Sequence, residues 1–348
     1  MKFKKITVLL LVIIFSLTFL FIQRFMHNGV SAKKIDTVVV AKIRFGSGKD
    51  ELGVSGPFQK MFYNEPGTFA VENSSDIYIT DQVKKRIVEV RNGSIVKEIS
   101  IESLFGKNAT ISPKQLFIAH SCIYLLFAKP SNINYSYFIA IIKNGKIVKV
   151  INLNDYYKKY YVVAFTASRL LNDKLVIVPD SPQKNVKPVA LIIEPSGSVK
   201  VVYKMVDGSF DGITPYCDII TSKNNISVEI HNPITDKTHT VNVKTNGNIA
   251  TVPLQCLNPE IGKGALHYFT TKGESNGVMV SYVLYFNYKL KNVKQCVMEI
   301  NKEKFKDFLP PSFDIGETEV LGSDGFLYDM NYTKQGCIIE RLEERSRN

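Results

Sequence analysis

A two-residue turn recurs along this chain at nearly constant spacing, and no other feature restricts the possible folds as much. Asn92-Gly93 precedes Ser-Ile-Val-Lys-Glu-Ile. Asn144-Gly145 precedes Lys-Ile-Val-Lys-Val-Ile, Ser196-Gly197 precedes Ser-Val-Lys-Val-Val-Tyr, and Asn246-Gly247 precedes Asn-Ile-Ala-Thr-Val. Weaker copies begin near Asn292 and at Gln335-Gly336, so successive spacings are 52, 52, 50, 46 and 43 residues. Asn-Gly between alternating apolar runs marks a tight hairpin, because both central residues of that turn need positive φ. Each copy predicts the turn joining the last two strands of a unit. A period of this length holds about four short strands, the size of one propeller blade.

Strand patterning fills the units. The first is predicted at Thr68–Val71, Ile77–Thr80, Arg86–Arg91 and Ile95–Ile101. The second follows at Gln115–Ala119, Ile123–Phe127, Tyr137–Ile142 and Ile147–Ile151. The unit near 213–256 is the most divergent. The last, Phe313–Leu342, offers three strands only. An orphan strand, Ile35–Phe45, precedes the first unit; pairing it into the last blade completes four strands and removes an open edge. The expected fold is all-β: a six-bladed propeller over 33–348, with its N-terminal strand closing the last blade. Beyond residue 32 no helical period is convincing. Short helical turns are expected near Tyr156-Tyr157-Lys158 and at Lys302–Phe308.

Phe45–Val90 carries a Gly-rich connector (Gly46, Gly48, Gly53, Gly56-Pro57), then Pro66-Gly67-Thr-Phe-Ala-Val, Ile77-Tyr-Ile-Thr-Asp81 and Lys85-Arg86-Ile-Val. This stretch resembles an NHL-type propeller repeat, with a weaker echo at Gly322–Asp329. The resemblance implies structural roles for Asp81, in the turn, and Arg86, opening the next strand. It leaves function open, since such propellers are mostly binding platforms and in a minority enzymes.

The N-terminus sets the expected location. Lys2, Lys4 and Lys5 precede Ile6–Ile22, which is 17 residues without charge. Basic residues on that side keep the N-terminus cytoplasmic and send the remainder across. Residues 1–32 therefore read as a signal peptide or signal anchor. Val30-Ser31-Ala32 is a small-residue cleavage sequence, so the chain is expected at the cell membrane facing outside, or secreted if cut after Ala32. The five cysteines (Cys122, Cys217, Cys256, Cys296, Cys337) are odd in number and widely spaced, which does not make a disulfide framework. Cys296 and Cys337 open similar stretches and are expected at equivalent strand positions. The net charge of +12 comes from scattered lysines and not from a stripe, which argues against nucleic acid as partner.

Candidate chemistry is thin. Gly46-Ser-Gly48-Lys49-Asp50 fails as a phosphate loop, because Asp50 follows the Lys and Ile43 stands where the first Gly belongs. Glu51 replaces the third Gly of a dinucleotide fingerprint, so no cofactor is expected. His231 and His239 flank a turn and are expected to face one another, yet two histidines lack a third metal ligand. Glu65, Asp180 and Asp218 are candidates for a channel mouth. The expected function is a non-catalytic binding or scaffold module for a protein, peptide or cell-wall polymer. The alternative is a channel-centred hydrolase or lyase, possibly metal-dependent.

Overall fold

The computed structural model describes residues 33–54, 67–73, 75–105, 111–130, 135–169, 173–181, 183, 186–204, 216–222, 225–232, 237–244, 248–249, 254–258, 263–272, 278–287, 292–298 and 319–344. The predicted leader Ile6–Ile22, Glu65, the turn at Lys302–Phe308 and Asn246-Gly247 lie outside them. Among the described residues no helix is long and apolar enough to cross a membrane.

The chain opens with β1 (Lys33–Arg44). Blade one is β2 (Phe69–Val71), β3 (Asp76–Asp81), β4 (Arg86–Arg91) and β5 (Ser94–Ser100). Blade two is β6 (Ser112–Ile118), β7 (Ile123–Pro130), β8 (Tyr135–Lys143) and β9 (Lys146–Asn152). Blade three is β10 (Ala164–Arg169), β11 (Leu175–Asp180), β12 (Ala190–Ile193) and β13 (Val199–Val202). Each is an antiparallel meander in chain order. Blade four has three described strands, β14 (Tyr216–Ser222), β15 (Asn225–Asn232) and β16 (Lys237–Lys244). Blade five holds β17 (Asn248–Ile249), β18 (Leu254–Asn258), β19 (Lys263–Lys272), β20 (Val278–Asn287) and β21 (Asn292–Met298). Blade six is β22 (Glu319–Leu321), β23 (Leu327–Thr333) and β24 (Gly336–Glu344). The protein is a six-bladed β-propeller.

β1 supplies the fourth strand of blade six, antiparallel to β24 from Ile35↔Glu344 to Arg44↔Gly336. Its first residues also run parallel to β21, Lys33 opposite Cys296, which joins blades five and six into one sheet. Hydrogen-bonding the first described strand to the last ties the ring where an open edge would otherwise stand.

Strand alternation shows why the blades read as nearly continuous apolar runs. Both faces of a blade are buried, so side chains of both parities are apolar. In blade two, Tyr124, Leu126, Ile139 and Ile141 pack with Leu175, Ile177, Leu191 and Ile193 of blade three. Their neighbours Leu125, Phe127, Ala140 and Ile142 pack the other way, with Ile87 and Ile99 of blade one. Blade one turns Ile77, Ile79, Val88 and Val90 toward Tyr328, Met330 and Ile339 of blade six. Among the described residues, the outermost strands β5 and β9 alternate only weakly and leave Val96, Val148 and Val150 exposed.

The predicted turns adopt the backbone that their chemistry requires. Asn92 and Gly93 have φ of 51° and 76°, Asn144 and Gly145 50° and 74°. The sixth copy differs. Because β1 is the fourth strand of blade six, Gln335-Gly336 joins the second and third strands and lies at the opposite end from the other turns. Gly336 is needed there for close approach, since a Cβ would run into the Ile43 carbonyl. For the same reason Cys296 and Cys337 are not equivalent. They lie on either side of β1, on a fourth and a third strand, opposite Lys33 and Ile43.

Blade four also departs from expectation. The strand after its predicted turn, β17, pairs with β19 of blade five, Asn248 opposite Thr271. It lies in line with β18, which pairs with the rest of β19. Four residues span about 14 Å at most. The end of β16, at Lys244, must then lie near the outset of blade five, where a fourth strand ends. β14, β15 and β16 accordingly take the second to fourth places, and β10 of blade three lies directly against β18 of blade five.

Candidate functional site

Each ring has two ends. One carries the links between blades and the loops between second and third strands, and is called the connector end here. The other carries the tight turns. β1 runs from the turn end to the connector end, where Phe45 N donates to Gln335 O at 3.0 Å. A segment preceding Lys33 therefore departs from the turn end.

Asp81 and Arg86 meet at the connector end of blade one. The Asp81 side chain is fully buried and Arg86 is 7% exposed, and their Oδ2 and Nε atoms are 3.0 Å apart. Gly53 N and Lys84 N also donate to the Asp81 carboxylate, at 3.1 and 3.2 Å. Arg86 reaches Glu98 at 2.8 Å and donates to the Lys49 and Glu51 carbonyls at 3.0 and 2.6 Å. Lys84 Nζ donates to the Gly48 and Glu51 carbonyls, and burial together with the neighbouring Arg86 charge pulls its pKa below the ordinary lysine range. Gly53 has no space for a Cβ, which would crowd Val83 and the Asp81 carboxylate. The Asp81, Lys84 and Arg86 side chains are all spent on the connector and on one another. The arrangement clamps the described part of the Gly-rich link between blades six and one.

The link between blades two and three is built differently. Asn152 caps a 3-10 turn at Leu153–Tyr156 by accepting from Asn154 N at 3.1 Å. Asn154 Oδ1 accepts from Tyr137 N at 2.8 Å. The Tyr137 hydroxyl donates to Val163 O at 2.7 Å, Tyr161 N donates to Gln183 Oε1 at 2.9 Å, and Ser181 Oγ donates to Tyr161 O at 2.5 Å. Beneath the link, Phe165 packs on Tyr137 and Tyr157 with centroids 5.2 and 5.4 Å apart. Burial pushes the Tyr157 hydroxyl above the ordinary phenol range, and it has no hydrogen-bond partner among the described residues. Above this braced floor the surface is aromatic and basic. Tyr135, Tyr161 and Val163 are 46%, 48% and 45% exposed. Tyr135, the first residue of β8, shares the blade face of Tyr137 two residues later. Lys158 and Lys159 of the link and Lys187 before β12 are exposed at the same end of the ring. Lys158 approaches Asp155 at 4.0 Å. Among the described residues, Lys159 and Lys187 have no acidic partner.

The turn end holds one pair that sequence reading missed. Asp173 Oδ1 accepts from His120 N at 2.9 Å and faces His120 Nδ1 at 3.1 Å. Burial opposes ionisation of Asp173, but the two His120 bonds outweigh it and hold the carboxyl below its ordinary range. Tyr124 OH donates to Asp173 O at 2.8 Å. The partners are 53 residues apart in sequence, on turns of neighbouring blades, and no local signal links them. His120 is 81% exposed, so the pair lacks the sheltered surroundings in which an acid–base group acts best.

Asp180 and Asp218 lie on β11 and β14; their side chains are outside the described set. His231 and His239 do not occupy opposed positions, since the register sets His231 against Thr238 and His239 against Ile230. Cys122 and Cys337 are both buried. Among the described residues no group of three or more metal-ligating side chains comes together.

No protein-family model and no curated protein matches the chain. Among solved structures it is similar to a streptogramin B lyase, with a TM-score of 0.35 and 11% identity over 89% of this chain and 98% of that one. It is similar to the soluble aldose sugar dehydrogenase of Escherichia coli, with a TM-score of 0.42 and 8% identity over 90% and 100%. A glucose dehydrogenase gives 0.44 and 10% identity over 90% and 100%. At these scores the likeness carries no argument about activity. The propeller assignment stands on strand order and register, and the NHL likeness stays a resemblance of the first blade.

Proposed function

We propose that this protein is an exported, non-catalytic recognition module, held at a membrane by its N-terminal segment, which binds its ligand at the connector end. The observation that carries the reading is the link between blades two and three. Hydrogen bonds from both blades fix its backbone, yet it exposes Tyr161, Val163, Lys158 and Lys159, and Tyr135 of β8 and Lys187 before β12 are exposed at the same end of the ring. Binding then costs little ordering, which is how a rigid platform gains affinity. Exposed tyrosines on fixed backbone are favourable anchors for recognition. The polar network at Asp81 and Arg86 is consumed in holding the chain and competes for no ligand. The course of β1 supports the orientation, because an anchor leaving from the turn end points the connector end away from the membrane. Co-sedimentation of the exported domain with isolated cell-envelope material tests the reading. Wild type is expected to pellet and Tyr135→Ala/Tyr161→Ala to stay largely in solution; equal pelleting of the two defeats it.

A further inference from the structure

We infer that the seam between blades two and three binds an anionic polysaccharide, with the Tyr135 and Tyr161 rings against sugar faces and Lys158, Lys159 and Lys187 on its acid groups. This rests on the recognition reading above and names its ligand class. Two observations select that chemistry. The first is charge. The exposed cations named at the seam are all lysines, two of them without an acidic partner among the described residues, against the acids Asp155 on the link and Asp180 opposite Ala164. Lysine is depleted at protein–protein interfaces, where arginine is enriched. As a hydrated point charge on a flexible stem it suits diffuse anionic groups along a polymer. The second is shape. Tyr135 and Tyr161 extend from opposite sides of one seam, Tyr135 from β8 and Tyr161 from the link tied to Ser181 and Gln183. Half-exposed flat rings, one carried on a strand and one on a link whose backbone is tied, offer apolar faces to the C–H face of a sugar while their hydroxyls stay wet. A membrane surface fits worse, because a leader attached at Lys33 leaves from the opposite end of the ring.

The test measures binding of the whole exported domain to polygalacturonate, neutral dextran, poly-L-glutamate and single-stranded oligothymidylate at fixed salt. Polygalacturonate is expected to bind about tenfold or more tightly than the other three. Tyr135→Ala/Tyr161→Ala is expected to weaken it about tenfold, an effect of the size that loss of aromatic anchors produces. Lys158→Glu/Lys159→Glu should weaken it further and flatten its salt dependence. Lys97→Glu/Lys146→Glu, on the outer strands β5 and β9, should change little. All six side chains are exposed or lie on outer strands, and thermal melting verifies that each variant folds. Equal affinity for polygalacturonate and poly-L-glutamate reduces the effect to charge and overturns the inference, as does tighter binding of oligothymidylate or indifference to the tyrosine pair. The two readings fail separately. Loss of envelope binding in the tyrosine variant without polygalacturonate binding by wild type rejects the ligand class alone. Unchanged envelope binding in that variant rejects both.

Discussion

The β3–β4 hairpin carries two Asp–Arg pairs, one at each end, and they have opposite surroundings. At the connector end Asp81 pairs with Arg86, with side-chain exposures of 0% and 7%. At the turn end Asp76 pairs with Arg91 at 2.6 Å, with exposures of 17% and 51%. The register makes both pairs directly cross-strand. Residue types and cross-strand pairing are the same; water access is not. The buried pair must satisfy every donor and acceptor locally, which is why backbone groups from Lys49, Glu51 and Gly53 are recruited to it. The exposed pair has water as a competitor and adds side chains of its own turn and strand: Asn73, whose amide donates to Asp76 at 2.5 Å, Ser75, and Glu89, which Arg91 reaches at 2.8 Å. Burial converts a common ion pair into a fixture of the fold.

The comparison breaks most completely if the connector loses its strand. Deleting residues 33–45 removes the fourth strand of blade six and the start of the link that Asp81 and Arg86 hold. Urea unfolding followed by tyrosine fluorescence should lose its single cooperative transition. Next in size is Asp81→Ala, which leaves Arg86 buried without its carboxylate; loss of one partner of a buried pair costs about 3–5 kcal/mol. Asp81→Ala/Arg86→Met should recover part of that in the same urea experiment. If the double variant is no better than the single, the cost lies in the connector contacts and not in the stranded charge. Asp76→Asn should shift the melting temperature least of the three, since exposed pairs contribute little.

Acid sharpens the contrast. The Asn73 amide and Arg91 hold the Asp76 carboxyl below its ordinary range. A depressed folded pKa stabilises above the unfolded value, near 3.9, and that contribution is lost as pH falls through the folded one. The melting difference between wild type and Asp76→Asn should be constant from about pH 8 to 5, begin to shrink near pH ~4 and vanish only once the pH has fallen through the depressed folded value. A difference that grows on acidification would contradict the assignment.

Much of the fold was legible in residue patterns, for a local reason. An Asn-Gly pair between apolar runs needs positive φ wherever it occurs, so Asn92-Gly93 and Asn144-Gly145 could be placed without knowing their neighbours. β1 was legible by counting, because a blade of three strands and a strand without a blade complete each other. The failures share a cause. The strand after Asn246-Gly247 looks like the others but pairs with blade five, and Gln335-Gly336 looks like a tight turn between last strands but joins middle ones. Pairing partners are not a local property. The facing positions expected of His231 and His239 failed at the same point, through register.

The sequence by itself determined a repeated four-strand unit, its turns and the strand that closes the ring, since hydrogen-bond geometry and φ preferences act over a few residues. Only the tertiary structure decided which side chains meet. It brought Tyr161 to Ser181 and Gln183, Tyr137 to Val163 and His120 to Asp173, because those contacts arise where faces of neighbouring blades close on one another.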